Sequence, residues 1–254
     1  MQNASNESIR EKVHWSFWLG VGFFIVVIVS IFAGAWLITE KVIAEEGAPV
    51  TSLIITGEMP YTVRKDITTA LDVVDLGNFF QVDVDDVQEK ISALPWVYSV
   101  AVRKHWPNEL KVYVVDQKPV ALWNGDFLIN QQGQTFQADV SRLKQTLPQF
   151  FGPEGTEELA LKNFININGL LDFNQLAIDE LVLSERFSWQ LTLNDGVTLN
   201  LGREDRIERI QRFMDVYSII KNKKQENQQV DYIDLRYDTG VAVGWKPTLK
   251  KQST

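Results

Sequence analysis

A long run of uncharged residues near the N-terminus constrains this chain more than any other feature. Residues 17–38 read FWLGVGFFIVVIVSIFAGAWLI, 22 residues without a charged side chain. As a helix rising 1.5 Å per residue, this run is about 33 Å long, enough to cross the roughly 30 Å hydrocarbon core of a bilayer. Trp15, Trp18 and Trp36 lie near its ends, where aromatic side chains meet the membrane interface. We therefore predict a transmembrane helix over residues 16–38.

A cleaved signal peptide is the alternative interpretation of this segment, because Ala33-Gly34-Ala35 has the small residues of a cleavage site. The apolar region of a signal peptide is usually only about 7–15 residues long, so the length of the run favours a retained anchor. Arg10 and Lys12 precede the run and Lys41 follows it, a bias that favours a cytoplasmic N-terminus. We expect a cytoplasmic head over residues 1–15, a single span, and an exported remainder.

Composition and charge exclude several classes of function. The chain has 254 residues, of which 45% are hydrophobic and 23% charged, so one or two ordinary globular domains are expected. Its net charge of -8 repels polyphosphate and argues against nucleic acid as a partner. It contains no cysteine, which excludes disulfides, thiol catalysis and thiolate metal sites.

The residues after the anchor predict a first α+β unit. Residues 39–50 are polar and contain Gly-Ala-Pro, which is typical of a linker next to the membrane. Residues 51–119 change periodicity from strand to helix and back, which predicts the order β-α-α-β-β. Thr62 is expected to cap the first helix, and Trp106–Glu109 (WPNE) to join the last two strands as a hairpin. The predicted helices cover residues 62–74 and 84–94, and the predicted strands cover residues 52–56, 97–104 and 110–115.

A second unit is predicted over residues 120–246. Several short strands with two helices among them indicate an α+β domain with a mostly antiparallel sheet and flanking helices. Asp195-Gly196 is a strong hairpin signal within it. Residues 247–254 are expected to form a disordered tail. The predicted strands cover residues 121–129, 135–138, 181–183, 189–193 and 197–201, and the predicted helices cover residues 159–171 and 204–221.

The last predicted element is a hairpin over residues 232–245, which read YIDLRYDTGVAVGW. Its alternation predicts that Ile233 and Leu235 face the core, and that Arg236 points to the opposite face, where it can meet a carboxylate. Asp238-Thr239-Gly240 predicts a three-residue connection with its glycine in the left-handed conformation.

The second strand of this hairpin is predicted over Val241–Gly244, where small side chains leave the backbone accessible. A last strand without a following neighbour offers a row of unpaired N–H and C=O groups. A segment of another protein could pair with it as an added strand. The alternative is an edge shielded by the tail that begins at Pro247.

Candidate catalytic and metal-binding residues have simpler explanations. His105 stands in a turn without a serine or carboxylate motif, and is interpreted as an exposed turn residue. Asp83, Asp85 and Asp86 lack the glycine and the final glutamate of a calcium loop, so a helix cap is the better interpretation. Phosphate-binding and nucleophile-elbow motifs are absent from the sequence. We therefore expect no enzymatic activity, no cofactor and no metal.

A resemblance to a known family appears between Leu94 and Asn124, which read LPWVYSVAVRKHWPNELKVYVVDQKPVALWN. The motifs Leu94–Val97 (LPWV), Arg103–Pro107 (RKHWP) and Pro119–Trp123 (PVALW) resemble the POTRA domain of the bacterial FtsQ/DivIB family of cell division proteins. The resemblance extends over the anchor and the second unit. The succession of anchor, POTRA domain and C-terminal β domain makes it specific.

The resemblance implies a non-enzymatic scaffold of the cell division machinery. It implies an inner-membrane protein with periplasmic domains at the division septum, linking early and late division proteins. It implies that the C-terminal domain binds FtsB and FtsL, and that the POTRA domain takes part in recruitment by FtsK. Septal peptidoglycan synthesis proteins are further expected partners of the POTRA domain and the anchor.

The resemblance also implies which residues bind the partner. In this family an arginine before a Ser-Trp-Gln-Leu strand helps to hold FtsB, and Arg186 occupies that position before Ser188–Leu191. Arg236 is expected to add charge-assisted hydrogen bonds to partner carboxylates. The expected residues for FtsB and FtsL binding are Arg186, Arg236, Tyr237, Thr239, Gly240, Val241, Ala242, Val243, Gly244 and Trp245.

Two other functions compete with the division scaffold. A POTRA unit could serve an envelope assembly or secretion factor, but such a factor normally has several POTRA repeats or a barrel, and this sequence predicts one such unit. An anchored periplasmic enzyme is the remaining alternative, and none of the motifs above supports it.

Overall fold

The computed structural model of the chain describes residues 15–43, 49–74, 76–223 and 228–248. The predicted head, apart from Trp15, and residues 249–254 of the predicted tail lie outside the described residues.

The N-terminal helix α1 runs from Trp15 to Ile43. Within it, Phe17–Ile38 is long and apolar enough to cross a membrane, with a mean hydropathy of 2.7 and none of it buried against the rest of the chain. An apolar helix that is exposed all round in water would be costly, because its whole surface is hydrophobic. The helix therefore fits the predicted span, while its orientation stays a prediction.

The next elements form a sheet of three strands in the described part of the chain, in the order β1-β3-β2. The order along the chain is β-α-α-β-β, as predicted. The Trp106–Pro107 peptide bond in the β2–β3 turn is cis. The elements are β1 (Ser52–Glu58), α2 (Arg64–Leu71), α3 (Val84–Ser92), β2 (Val97–His105) and β3 (Glu109–Asp116).

Thr62 differs from its predicted role as the cap of α2. Its hydroxyl donates to Oδ1 of Asp116 over 2.6 Å, and its backbone N–H donates to Oδ2 of the same carboxylate over 2.8 Å. At the start of α2 it is the backbone N–H of Val63 that donates to a side chain, Oδ2 of Asp66, over 3.1 Å. The Thr62 hydroxyl, which local spacing assigned to a helix cap, therefore binds the carboxylate of Asp116, a residue distant in the sequence.

The larger sheet has nine strands among the described residues, in the order β12-β11-β10-β9-β8-β7-β4-β5-β6. Five of the strand pairs are antiparallel and three are parallel, in agreement with a mostly antiparallel sheet. Its first elements are β4 (Pro119–Trp123), β5 (Phe127–Asn130), β6 (Thr135–Phe136), β7 (Gln149–Phe151) and α4 (Glu157–Leu171). Its later elements are β8 (Ile178–Leu183), β9 (Trp189–Leu193), β10 (Thr198–Gly202), α5 (Arg206–Asn222), β11 (Gln228–Asp234) and β12 (Ala242–Pro247).

Strand β7 was not predicted from the sequence. It has three residues, Gln149–Phe151, and pairs in parallel with both β4 and β8. Three residues are too few to display the alternation by which strands are recognised. Parallel neighbours need a crossover between them, and α4 supplies it between β7 and β8, as α5 does between β10 and β11.

The main hydrophobic core belongs to the larger sheet and its two helices. Helix α5 contributes Ile210, Phe213, Tyr217 and Ile220, which recur at helical spacing and are buried. Ile207, predicted on the same face, is 39% exposed. Fully buried side chains from the sheet and α4 that complete this core include Phe150, Ile167, Leu171, Leu181, Leu191, Leu199 and Ile233.

Polar side chains fasten the β9–β10 turn to α5. The Tyr217 hydroxyl donates to Oδ2 of Asp195, and Nζ of Lys221 lies 3.3 Å from the same oxygen. The ammonium of Lys221 also lies 4.7 Å from the centre of the Tyr217 ring. Burial, followed by the Asp195 carboxylate, raises the pKa of Tyr217, so this hydroxyl stays protonated and remains a donor.

The described chain divides into two compact units whose limits interleave along the sequence. The first takes residues up to Thr56, Thr68–Ile91 and Val100–Tyr113, and the second takes Gly57–Ile67, Ser92–Ser99 and the residues from Val114 onward. The domain boundary between residues 119 and 120 therefore stays a prediction.

Within the second unit, Arg142 binds both the first turn of α2 and Tyr61, which precedes it. Its Nη1 donates to Oδ2 of Asp66 over 2.6 Å and to the carbonyl oxygen of Tyr61 over 2.9 Å. The Tyr61 ring stacks on Trp96 with a centroid distance of 4.4 Å. The guanidinium lowers the pKa of Asp66, because it stabilises the charged carboxylate.

Candidate functional site

Strand β12 is an edge of the larger sheet. Among the described residues it pairs with β11 alone, in antiparallel orientation, from Gln228↔Pro247 to Asp234↔Ala242. The register shifts between Val230 and Tyr232, so the strand pair carries an irregularity there. An edge strand turns every second pair of N–H and C=O groups away from its neighbour, and those groups are available to another strand.

The strand is longer than predicted and begins one residue later. It runs from Ala242 to Pro247, whereas Val241–Gly244 was predicted. Val241 precedes it and packs against the core, as Val243 does within the strand. Pro247, predicted as the first residue of the tail, ends the strand. Proline fits an edge strand, because its missing N–H does not need a partner on the open side.

The ring of Tyr232, the cross-strand neighbour of residue 244, leaves room only for glycine at that position. The two residues are opposite each other in the ladder, and a methyl group on Gly244 would overlap the Tyr232 ring. The ring therefore lies over the glycine and covers the position that a side chain would occupy. This packing explains a small residue on β12 without any appeal to a partner.

The connection between β11 and β12 differs from the predicted three-residue turn. It covers residues 235–241, and Gly240 does not adopt the predicted left-handed conformation. Leu235 is buried, as predicted, while Tyr237 is 58% exposed. The carbonyl oxygen of Tyr237 accepts a hydrogen bond from Nη1 of Arg212 on α5. The sequence pattern missed this geometry because a long-range arginine, rather than turn chemistry, fastens the connection.

Arg236, in the connection, is held by the carboxylate of Asp234 at the end of β11. Its Nε lies 2.9 Å from Oδ1 of Asp234, its Nη2 lies 2.6 Å from Oδ2, and its backbone N–H donates to Oδ1 over 3.1 Å. The Asp234 side chain is 9% exposed and that of Arg236 is 60% exposed. The guanidinium lowers the pKa of Asp234, and the carboxylate in turn raises the pKa of Arg236. Arg236 thus has a carboxylate partner within the chain, and its side chain remains 60% exposed.

Arg236 and Arg186 line one shallow groove, although they are far apart in the sequence. The groove has a volume of about 400 Å³. Its lining includes four arginines and a glutamate, so it is positively charged in a chain whose net charge is -8. We name it the arginine groove, and it is lined by Ser184, Arg186, Ser188, Gly202, Arg203, Glu204, Arg209 and Arg236.

Gly202 allows two of these arginines to approach each other. Its φ is +72°, and a methyl group there would lie 2.8 Å from Nη1 of Arg209 and 3.2 Å from Cγ of Arg236. Arg209 also donates from Nη1 to the carbonyl oxygen of Leu201. It contributes to the lowered pKa of Asp234. The Arg209 guanidinium and the aliphatic stem of Arg236 therefore flank the end of β10, where glycine leaves them room.

Sequence reasoning missed Arg203 and Arg209 as members of this site. Arg203 follows β10 and Arg209 lies on α5, and no spacing rule links either position to Arg186 in the β8–β9 turn. What joins them is the order of β8, β9, β10 and β11 in the sheet. The remaining predicted residues Tyr237, Thr239 and Gly240 lie in the connection, and Ala242, Val243, Gly244 and Trp245 lie on β12.

Phe187, next to Arg186, has an unusual backbone conformation. Its φ is +59°, and its side chain is 51% exposed. The turn is closed by hydrogen bonds from the Phe187 N–H to the Ser184 carbonyl over 2.8 Å and from the Ser184 N–H to the Ser188 carbonyl over 3.0 Å. A bulky residue in the left-handed region is costly, because its Cβ crowds the backbone. Glycine or asparagine would be the ordinary choice here.

The catalytic and metal candidates keep their structural explanations. His105 Nδ1 lies 3.0 Å from Oε2 of Glu109 at the hairpin, where the His105 side chain is exposed and that of Glu109 is half-buried. Asp83 accepts the backbone N–H of Asp85 over 2.9 Å and of Asp86 over 3.4 Å, which is a cap of α3. Among the described residues, no three or more His, Asp or Glu side chains are grouped so that they could hold a metal ion.

Two models of known protein families match this chain. The POTRA domain of FtsQ type matches residues 48–117, and the C-terminal domain of the cell division protein FtsQ/DivIB matches residues 121–236. The second match ends at Arg236, before β12 begins.

Curated relatives extend the similarity over most of the chain. The cell division protein FtsQ of Shewanella oneidensis is 38% identical over 236 residues, which cover 93% of this chain and 89% of the relative. That of Escherichia coli is 34% identical over 257 residues, covering 100% of this chain and 93% of the relative. That of Vibrio cholerae is 36% identical over 229 residues, covering 90% of this chain and 87% of the relative.

Proposed function

The chain belongs to the FtsQ/DivIB family of bacterial cell division proteins, and we propose that it acts as a non-enzymatic scaffold whose β12 edge and arginine groove receive FtsB and FtsL. Membership supports a role in the division machinery as a whole. The proposal adds where the partner docks and which side chains hold it.

The observation that carries the proposal is an open strand edge beside a positively charged groove. Ala242, the first residue of β12, is paired with Asp234, and Asp234 is bound to Arg236 of the arginine groove. A partner segment that adds to β12 gains main-chain hydrogen bonds along six residues of strand. Acidic side chains at the end of that segment meet Arg236 and Arg186, which supply charge-assisted hydrogen bonds.

Exposed side chains on and before β12 supply the remaining contacts. Tyr237 is 58% exposed and Trp245 is 37% exposed, and aromatic residues of this kind dominate binding energy in many interfaces. Thr239 and Gly240 contribute backbone and small side chains to the connection before the strand. Lys246 of β12 is paired with Asp231 of β11 over 2.9 Å, and this ion pair helps to hold the two strands together.

The proposed location is the inner membrane at the division septum. The apolar helix Phe17–Ile38 anchors the chain, with the N-terminus in the cytoplasm and residues beyond the helix in the periplasm. The POTRA domain is proposed to take part in recruitment by FtsK and to meet septal peptidoglycan synthesis proteins. The matches to an FtsQ-type POTRA domain and an FtsQ/DivIB C-terminal domain favour this scaffold over an envelope assembly or secretion factor.

Proline substitution at two successive residues of β12 tests strand addition. One of Ala242 and Val243 turns its N–H toward β11 and the other toward the open edge, because adjacent residues of a strand alternate. Proline at the outward-facing position is expected to abolish binding of the membrane-proximal periplasmic segment of FtsB, and to lower the melting temperature less than proline at the inward-facing position. Proline at the inward-facing position is expected to lower the melting temperature.

Binding is measured by isothermal titration calorimetry on the full chain in lipid nanodiscs, and melting by circular dichroism. Ala242→Ser and Val243→Thr serve as matched controls that keep the N–H. Undiminished FtsB binding in both proline variants would contradict docking by strand addition. A midcell ring of a fluorescent fusion is expected in cells, and a uniform envelope signal would contradict the septal location.

A further inference from the structure

Two exposed aromatic side chains lie at one end of the three-stranded sheet. Trp106, in the β2–β3 turn, is 77% exposed, and Phe80, in the connection between α2 and α3, is 49% exposed. The docking residues on the larger sheet do not include either of them. Large apolar side chains left in water are unfavourable, so an exposed pair at one end of a domain indicates a surface that covers them.

Three hydrogen bonds place both aromatic residues where the chain arrives from α1. The backbone N–H of Thr51 donates to the Asn108 carbonyl over 3.1 Å, and that of Val50 donates to the Gly77 carbonyl over 3.2 Å. Nζ of Lys104 donates to the Phe80 carbonyl over 3.1 Å. The β2–β3 turn and the loop that carries Phe80 therefore both adjoin the residues that enter β1.

The anchor limits how far this end can lie from the membrane. Helix α1 continues from Ile38 to Ile43, which is about 8 Å of helix and comparable to the thickness of one headgroup layer. Pro49 follows Ile43 after six peptide steps, which reach at most about 22 Å when fully extended. The tether therefore allows Trp106 and Phe80 to reach the lipid headgroups on the side where α1 ends.

The side chains have the chemistry of the membrane interface. Tryptophan combines a large apolar ring with an N–H donor and concentrates at the headgroup level, where one end is apolar and the other wet. Arg103, exposed on β2, is a cation suited to lipid phosphates.

We propose that Trp106, Phe80 and Arg103, here named the aromatic rim, bind the headgroup region of the bilayer that α1 spans. The contact seats the first unit on the membrane surface and orients the start of β1, at Ser52, toward it. The inference goes beyond partner docking and rests on α1 as a transmembrane helix. The tether favours the bilayer over a second copy of the chain or another protein, neither of which it brings close.

Site-directed labelling tests the proposal on the full chain. Because the sequence contains no cysteine, Asn108→Cys, Ala101→Cys and Ser30→Cys each create a single attachment site for a polarity-sensitive fluorophore. Each labelled protein is placed in nanodiscs of phosphatidylethanolamine and phosphatidylglycerol that carry spin-labelled lipids with the quencher near the headgroup or deep in the chains. Ser30 lies within the span and reports whether α1 crosses the bilayer.

The expected result is quenching of the residue 108 label by the shallow quencher, and weaker quenching at residue 101, which lies about 13 Å back along β2. Trp106→Ala together with Phe80→Ala is expected to remove the quenching at residue 108. Tyr113→Ala, a change of an aromatic side chain that is 49% exposed on β3, is the matched control and is expected to leave it.

The outcomes distinguish the lipid contact of the aromatic rim from the transmembrane position of α1. Quenching at residue 30 by the deep quencher with equal quenching at residues 108 and 101 overturns the aromatic rim and leaves the anchor intact. Unchanged quenching at residue 108 in the Trp106 and Phe80 double variant also overturns it. Loss of quenching at residue 30 overturns the anchor itself. Quenching at residue 108 that depends on protein density in the nanodisc identifies a second copy as the covering surface and overturns the lipid contact.

Discussion

The carboxylate of Asp234 and the guanidinium of Arg236, two residues apart, are joined by a 2.9 Å contact from Nε and a 2.6 Å contact from Nη2. The aspartate is buried and the arginine is largely exposed, so the carboxylate holds the guanidinium in one position at the surface. Preorganisation of this kind reduces the entropy lost when a partner binds. Asp234, the last residue of β11, therefore fixes the position of one arginine that lines the arginine groove.

Reversal of charge at Arg236 should abolish partner binding. Arg236→Glu places a carboxylate in the arginine groove beside Asp234, where it repels an acidic partner segment, and a loss of about 2–5 kcal/mol is expected for a charge pair at an interface. Arg236→Lys keeps the charge without the planar fork and should bind at an intermediate level.

Calorimetric titration of the full chain in nanodiscs with the FtsB segment measures this effect. Lys162→Glu, an equal charge reversal on α4 outside the groove, is the matched control. If Arg236→Glu and Lys162→Glu weakened binding equally, the groove would have no specific role.

Acid should weaken the domain in part through Asp234. Its pKa is lowered in the folded chain, chiefly by the hydrogen bond from Arg236. The stabilisation is therefore complete above the unfolded-state pKa of about 4 and is lost as the pH falls through the lowered value. Asp234→Asn is expected to be less stable at neutral pH and to lose less of its unfolding free energy between neutral pH and acid.

Urea unfolding at a series of pH values measures this dependence. Asp231→Asn removes an exposed carboxylate that pairs with Lys246 at the surface and should leave the pH dependence close to that of the unsubstituted chain. Parallel pH profiles for the Asp234→Asn variant and the unsubstituted chain would exclude the proposed linkage.

Gly244→Ala should destabilise the β11–β12 ladder. The added methyl group overlaps the Tyr232 ring, and relief requires displacement of that ring. Overpacking of this kind costs about 1–3 kcal/mol. The double variant Gly244→Ala with Tyr232→Ala should recover part of the loss, because the clash is removed. Chemical unfolding of the three variants forms a double-mutant cycle, and strictly additive effects would show that the two side chains do not interact.

Phe187→Gly should stabilise the β8–β9 turn. Glycine relieves the strain of the left-handed conformation, which stabilises the folded chain by about 1–2 kcal/mol. It also raises the backbone entropy of the unfolded chain, which costs about 0.5–1 kcal/mol. A net gain of a few tenths to about 1 kcal/mol in unfolding free energy is expected from urea titration. Phe187→Ala, which keeps the strain and loses the ring, should show no such gain. A destabilised glycine variant would mean that the ring contributes more to the fold than the strain costs.

Local patterns were sufficient to predict most elements. Helix α5 was predicted from apolar residues at helical spacing, and its buried Ile210, Phe213 and Tyr217 follow that spacing. The β-α-α-β-β order and the terminal strand were predicted in the same way, from periodicity and turn residues. Strand β7 was missed, because three residues are too short to display a period. Gly240 was assigned a left-handed conformation that the longer connection does not require.

The sequence by itself determined the apolar N-terminal helix, the class and order of most elements, and the likeness to the FtsQ/DivIB family, because these depend on residue type and spacing along the chain. Only the tertiary structure decided that Arg186, Arg203, Arg209 and Arg236 line one groove, and that Thr62 binds Asp116 instead of capping α2. Each of those arrangements joins residues on different strands and helices. Their proximity follows from strand order and crossover helices, which no local period encodes.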